Sequence, residues 1–153
     1  MRNQALVPQE ARIFYTTPKA FRSETNVIAV DTSALMGIIL AEPEADACIG
    51  ALAREPLVLI SVVTLAEAHI VALQRNVVAE MASLVEGLAL EVVPVSPSAA
   101  RRIAITYLRW GKGNHSAGFN IGDCFAYDVA KDNECPLLFV GDNFAQTDVD
   151  RVL

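Results

Sequence analysis

The stretch FNIGDCFAYDVAKDNECPLLFVGDNFAQTDV, residues 119–149, carries most of the information in this chain. Asn120-Ile121-Gly122-Asp123 heads a run with helical spacing that lasts to about Asn133, and the apolar PLLFV at 136–140 then ends on a second Gly-Asp pair, Gly141-Asp142. A helix that feeds a buried strand is half of an α/β unit. An acid opens the helix and another follows the strand, so both face the open edge of the fold.

Working upstream, the same alternation repeats. NVIAVD at 26–31 is a short apolar run ending at an acid, as a buried parallel strand reads, and residues 32–40 continue as an apolar helical stretch. A helix over 43–54 is signalled by Pro43 in a first-turn position with Glu42, Glu44 and Asp46 around it. PLVLIS at 56–61 is the next strand, followed by a helix to about Asn76 that either Ser61 or Thr64 can cap, Thr64 and Glu67 having the spacing of a capping box. A helix over 77–88, a strand in LEVVPV at 90–95, a helix opened by Ser96-Pro97 and the flexible loop GKGNHSAG at 111–118 complete the pattern. The expected class is α/β, a mainly parallel central sheet flanked by helices. Residues 1–26 lack sustained periodicity and contain Pro8 and Pro18, so they read as an extension outside a domain spanning 27–153.

Composition bounds the function. A chain of 153 residues, 53% hydrophobic, is one domain's worth and fills a core, yet it holds no run of about 18 apolar residues that would span a membrane. Three cysteines, Cys48, Cys124 and Cys135, form no CxxC pair, and no secretory pattern opens the chain; a cytoplasmic protein is expected. The net charge of −6 is the wrong sign for a protein that binds nucleic acid by bulk charge. Basic residues do cluster: Arg2, Arg12, Lys19 and Arg22 near the start, and Arg101, Arg102, Arg109 and Lys112 further on. Arg102 and Arg109 are seven apart and share a helix face, which suits either phosphate contact or a plain solvated surface.

Asp31 follows the first strand, Glu67 lies in the helix after the second, Asp123 opens a later helix and Asp142 follows the last strand. In a parallel sheet all four carboxylates can converge at the carboxyl edge. Clustered carboxylates raise one another's pKa, and a hard divalent cation, Mg²⁺ or Mn²⁺, resolves the conflict through oxygen ligands. Such an ion activates water against a phosphodiester. Taken singly, Asp31 could be a helix cap, Asp123 a first-turn acid favoured by the helix dipole, Glu67 the partner of Thr64, and Asp142 a turn former. His69 and His115 read as packed or solvated residues.

The segments VDTSALMGIILAEPEA (30–45), VVTLAEAHIV (62–71) and the opening stretch, in this order and spacing, resemble the VapC-type toxins of the PIN-domain ribonuclease family. The likeness covers about residues 27–150. It implies a metal-dependent endoribonuclease, the toxin of a toxin–antitoxin pair, with Asp31, Glu67, Asp123 and Asp142 as metal-holding catalytic acids. Thr32 or Ser33 would add a hydroxyl near the metal or its waters, and Asp148 is an auxiliary ligand or an acid behind the ligands. Implied partners are a structured RNA, tRNA being the favoured class, a cognate antitoxin protein and a second copy in a homodimer. Two positions depart: Phe119 stands where leucine is common, and Asn143 where a second aspartate often stands. The extension at 1–26 is also unusual, and is either a real appendage or an artefact of the assigned start codon. Two rival readings stand beside this one: a silent binding module that keeps the fold, and an aspartyl-phosphate enzyme, disfavoured because Ser33 occupies the place of its second acid.

Overall fold

The structure, a computed structural model, describes residues 26–153. The extension expected before the first strand, with its four basic residues, therefore lies almost wholly outside the described residues.

Four strands, β1 (Val27–Val30), β2 (Leu57–Ser61), β3 (Glu91–Val93) and β4 (Leu137–Leu138), form one sheet in the order β3-β2-β1-β4. Every pair is parallel. Parallel neighbours need long crossovers, and helices supply them. α1 (Thr32–Ile39) and α2 (Ala45–Arg54) join β1 to β2; α3 (Val62–Arg75) and α4 (Val78–Leu88) join β2 to β3; α5 (Pro97–Trp110) and α6 (Ile121–Asp132) join β3 to β4. The chain adds β2 and β3 on one side of β1, then returns to add β4 on the other. That reversal creates a topological switch point between β1 and β4, where open parallel sheets bind their ligands.

Alternation along the strands divides the core. Ile28, Val30, Val58, Ile60 and Leu138 pack with Leu35, Cys48, Ala72 and Met81 from α1 to α4, whereas Ala29, Leu59 and Leu137 pack with Ile103, Cys124 and Tyr127 from α5 and α6. A strand's side chains point alternately to the two faces, so each short apolar run serves both layers.

Helix starts follow the expected chemistry with two corrections, the first being that α2 starts at Ala45 behind an N-cap at Glu44, so Pro43 lies before the helix and not in its first turn. The Ser61 hydroxyl accepts the Val63 N–H at 3.2 Å, so α3 starts at Val62 and Thr64 is already inside its first turn. The alternative capping box of Thr64 and Glu67 does not form, and Glu67 is released for other contacts. α5 is capped as read, with the Ser96 hydroxyl accepting the Ala99 N–H at 3.1 Å and Pro97 in the first turn.

β4 is shorter than the five-residue PLLFV run suggests. The Val140 N–H goes to the Ser33 hydroxyl at 3.1 Å, so the ladder with β1 stops after Leu138. The glycine-rich segment after α5 is also more ordered than a flexible loop: Phe119 N–H donates to Trp110 C=O at 3.0 Å and Lys112 N–H to Phe119 C=O at 2.9 Å, closing it at its base. Among the described residues no helix is long and apolar enough to cross a membrane.

Candidate active site

Asp31 leaves β1 at the carboxyl edge of the sheet and caps α1. Its Oδ2 accepts the Ser33 N–H at 3.0 Å, and its own N–H donates to Leu138 C=O at 3.0 Å, which ties the turn to β4. The residue is 5% exposed. Burial pushes its carboxyl up from the usual range, against the Ser33 N–H and hydroxyl and the Thr32 N–H, which favour the charged form. Ser33 thus serves both sides of the switch point: its hydroxyl accepts from Val140 and donates to Asp31.

Glu67 stands on α3, half-buried. Burial raises its carboxyl, the Thr32 hydroxyl opposes that rise and the charge of Asp31 adds to it. Thr32 has one hydroxyl proton and two acceptors to choose from, Glu67 and the Thr64 carbonyl at 3.1 Å. Gly122, in the first turn of α6, makes room for Glu67. A Cβ at Gly122 would collide with Glu67 Oε2, so the missing side chain lets this carboxylate approach the positive end of α6.

Asp123 sits one residue later. It completes a reciprocal cap, accepting the Asn120 N–H on Oδ2 at 2.9 Å while its own N–H donates to Asn120 Oδ1 at 2.8 Å. Its carboxyl is pushed up to about 6, first by burial and then by the charges of Asp31 and Glu67; the Asn120 N–H and the Asn143 side-chain amide pull the other way. Asp31 therefore caps its helix as read, and Asp123, read as a first-turn acid, also joins a capping box; in both, the cap fixes where the carboxylate points.

Three of the four expected acids, Asp31, Glu67 and Asp123, are coupled in this way. Asp142 emerges at the expected edge and is exposed, as is Asn143 beside it, and the carboxylate charges that act on Asp123 are those of Asp31 and Glu67.

Three further expected residues have partners elsewhere in the fold. Arg102 does not face solvent: it is buried and forms a bidentate pair with Asp128 of α6, Nε–Oδ1 2.7 Å and Nη2–Oδ2 2.9 Å. Arg109 is exposed but engaged, 3.2 Å from Asp148 Oδ2 and over the Trp110 ring at 4.4 Å. Asp148 is held by Tyr127, Arg109 and Lys131, the Tyr127 hydroxyl donating at 2.6 Å. Burial alone would raise the Asp148 carboxyl, but these partners outweigh it and leave it below its ordinary value.

Two side chains read as bystanders remain so. His69 is exposed on α3, and His115 accepts the Ala117 N–H on Nδ1 at 3.0 Å with its ring edge-on to Trp110.

The donor set suits a hard divalent cation, since it offers carboxylate oxygens and no sulfur or imidazole. Among the described residues no three acidic, histidine or cysteine side chains close around one point. The three acids instead surround the edge within Coulomb range. Mg²⁺ commonly keeps several waters and binds through only one or two carboxylates, which matches so open a set. Asp31, Glu67 and Asp123 are the residues that would hold it.

The PIN domain profile matches residues 28–150. A ribonuclease VapC of Mycolicibacterium smegmatis is 38% identical over 128 residues, covering 82% of this chain and 99% of that protein. Among solved structures, Mycobacterium tuberculosis VapC20, described as a Sarcin-Ricin loop cleaving toxin, superposes with TM-score 0.67 at 14% identity, over 82% of this chain and 98% of the other. A chain of a toxin-antitoxin complex from Klebsiella pneumoniae gives TM-score 0.61 at 16% identity, over 79% and 92%. At such identity the superpositions establish the fold, while the sequence relative and the profile establish kinship. Matched over the segments that hold Asp31, Glu67 and Asp123, the chain belongs to the PIN-domain family as a VapC-type member.

Proposed function

We propose that this chain is a metal-dependent endoribonuclease that acts as the toxin of a toxin–antitoxin pair. The observation that carries the reading is the gathering of Asp31, Glu67 and Asp123 at the switch point of a PIN fold, where burial first, and then the charges of Asp31 and Glu67, push Asp123 up to about 6. Kinship to proteins named as VapC ribonucleases and likeness to a chain from a toxin-antitoxin complex support the assignment.

Mg²⁺ or Mn²⁺ at this edge would supply an activated water and polarise a phosphoryl oxygen. The chain's own residues prepare the place. Asp31 and Asp123 are oriented by the backbone N–H groups they cap, Thr32 and Ser33 hold hydroxyls against Glu67 and Asp31, and Gly122 leaves Glu67 free to stand beside them. Deprotonated carboxylates repel RNA phosphates, so charge neutralisation at the acids is a condition for substrate approach despite the net charge of −6.

An antitoxin, a cytoplasmic setting and a structured RNA substrate such as tRNA belong to the same reading. So does a homodimer, for which Val62, Ile70 and Leu73 on α3 offer exposed apolar surface. The residues before β1 are proposed to be dispensable for cleavage. Induced expression of the wild type beside Asp31→Asn tests the toxin reading. Growth arrest with RNA breakdown that the substitution abolishes, the variant remaining folded, is the expected result. Arrest that persists in the variant, or no arrest at all, would favour a silent binding module.

A further inference from the structure

One peptide group joins the glycine-rich loop to the acidic edge. The Phe119 C=O accepts the Lys112 N–H at 2.9 Å, and the Asn120 N–H, on the other side of the same peptide, donates to Asp123 Oδ2 at 2.9 Å. Two hydrogen bonds and one planar group therefore hold the Lys112 nitrogen no more than about 8 Å from the Asp123 carboxylate. The loop is also closed from within. Asn114 N–H and His115 N–H donate to the Gly111 C=O at 2.9 and 3.1 Å, and the buried Trp110 ring meets the His115 ring edge-on with centroids 4.7 Å apart.

The cations on this side of the fold are not equivalent. Arg102 is engaged by Asp128, and Arg109 and Lys131 both face Asp148. Lys112 is exposed and, among the described residues, has no carboxylate within ion-pair distance. Beside it Gly113 turns at φ +89, and a Cβ there would meet no atom within 4 Å, so the surface next to Lys112 is open. An ammonium on a flexible four-carbon stem binds phosphate as a point charge and needs no fixed fork.

We infer, resting on the nuclease reading above, that Lys112 is a substrate-binding residue whose ammonium takes an RNA phosphate beside the one at the acids. The carboxylates repel a polyanion, and this loop supplies a positive charge next to them. The shared peptide gives the bound phosphate and Asp123 a fixed spacing, so the contact also sets how the RNA strand lies on the acids.

Cleavage of a labelled structured RNA by the full chain over a KCl series tests this. Lys112→Ala should raise KM about fivefold to tenfold with kcat held within about twofold, and should make the log–log salt dependence of kcat/KM shallower by about one. Lys112→Arg, which keeps the charge, should stay near the wild type. Arg75→Ala, about two turns beyond Glu67 on α3, should match the wild type. A wild-type KM and salt slope in Lys112→Ala would overturn the inference, and so would loss of kcat alone, because the substitution would then act through Asp123 and not on the RNA. If the wild type cleaves no RNA, the nuclease reading fails by itself, and fluorescence anisotropy of the same RNA decides the contact. A binding slope shallower by about one in Lys112→Ala sustains it, whereas equal slopes or no binding overturn it.

Discussion

Gly122 and Gly141 each precede an aspartate, yet they work by different physics. Gly141 adopts φ +106, which a side chain resists, whereas Gly122 has an ordinary helical backbone and matters because Glu67 Oε2 occupies the space of its missing Cβ. Gly122→Ala should therefore leave the fold intact, since alanine is the better helix former and Glu67 is a flexible side chain that can swing aside. The displaced carboxylate should cost about 10-fold to 100-fold in Mn²⁺ affinity, read by titration beside an unchanged melting temperature. Asp123 adds a pH dependence. Its carboxyl is pushed up to about 6 from the ordinary aspartate value of 3.8, so the folded, metal-free protein holds this proton more tightly than the unfolded chain does. That contribution to stability is full below about pH 4 and is lost as pH rises through about 6. Asp123→Asn should flatten this part of the stability profile measured in EDTA, and a profile unchanged by the substitution would contradict the coupling. The acids themselves are legible in the sequence as residues that follow strands or open helices. What is not legible is that Glu67 stands against Gly122, because that contact joins α3 to α6 and neither helix's own pattern shows it.

At the scale of elements, α5 and α6 are joined by the pair of Arg102 and Asp128, 26 positions apart and both buried. Seven-residue spacing correctly indicates that Arg102 and Arg109 share a helix face. Spacing cannot tell that the Arg102 end of the face is covered by α6, since the partner that makes its burial tolerable lies on another helix. Removing one member of a buried pair strands the other charge, so Arg102→Ala should lower unfolding free energy by about 3–5 kcal/mol in urea titration. Combining it with Asp128→Leu should recover much of that loss, because replacing both charges removes the stranded one. The short β4 has a similar lesson. Its apolar run reads as a longer strand, but the Ser33 hydroxyl, 107 positions away, takes the Val140 N–H and ends the ladder. Local pattern finds the strand, and a distant side chain sets its length.

For the molecule as a whole, alternating strands and helices make the parallel α/β class readable, and the carboxyl-edge rule points to the edge where Asp31, Glu67 and Asp123 act on one another. The strand order β3-β2-β1-β4 was not readable, since nothing in the crossover from β3 says that β4 will pair on the far side of β1. That order matters for function: it puts Asp31 and the Gly141 turn on either side of the switch point. Among the described residues the two core clusters join all four strands to the helices on both faces, and deleting residues 1–26 should leave cooperative unfolding and RNA cleavage in place. Loss of soluble protein on truncation would show that the segment belongs to the folded unit.

The most direct measurement is cleavage of a labelled structured RNA by the purified chain, with Mg²⁺ or Mn²⁺ and with EDTA, beside Asp31→Asn and Glu67→Gln. Cleavage that requires the metal and falls by two orders of magnitude or more, as about 3 kcal/mol of lost transition-state stabilisation entails, is the expected result in both variants. Cleavage that survives EDTA, or that both folded variants retain, would contradict a metal-dependent site built from these acids.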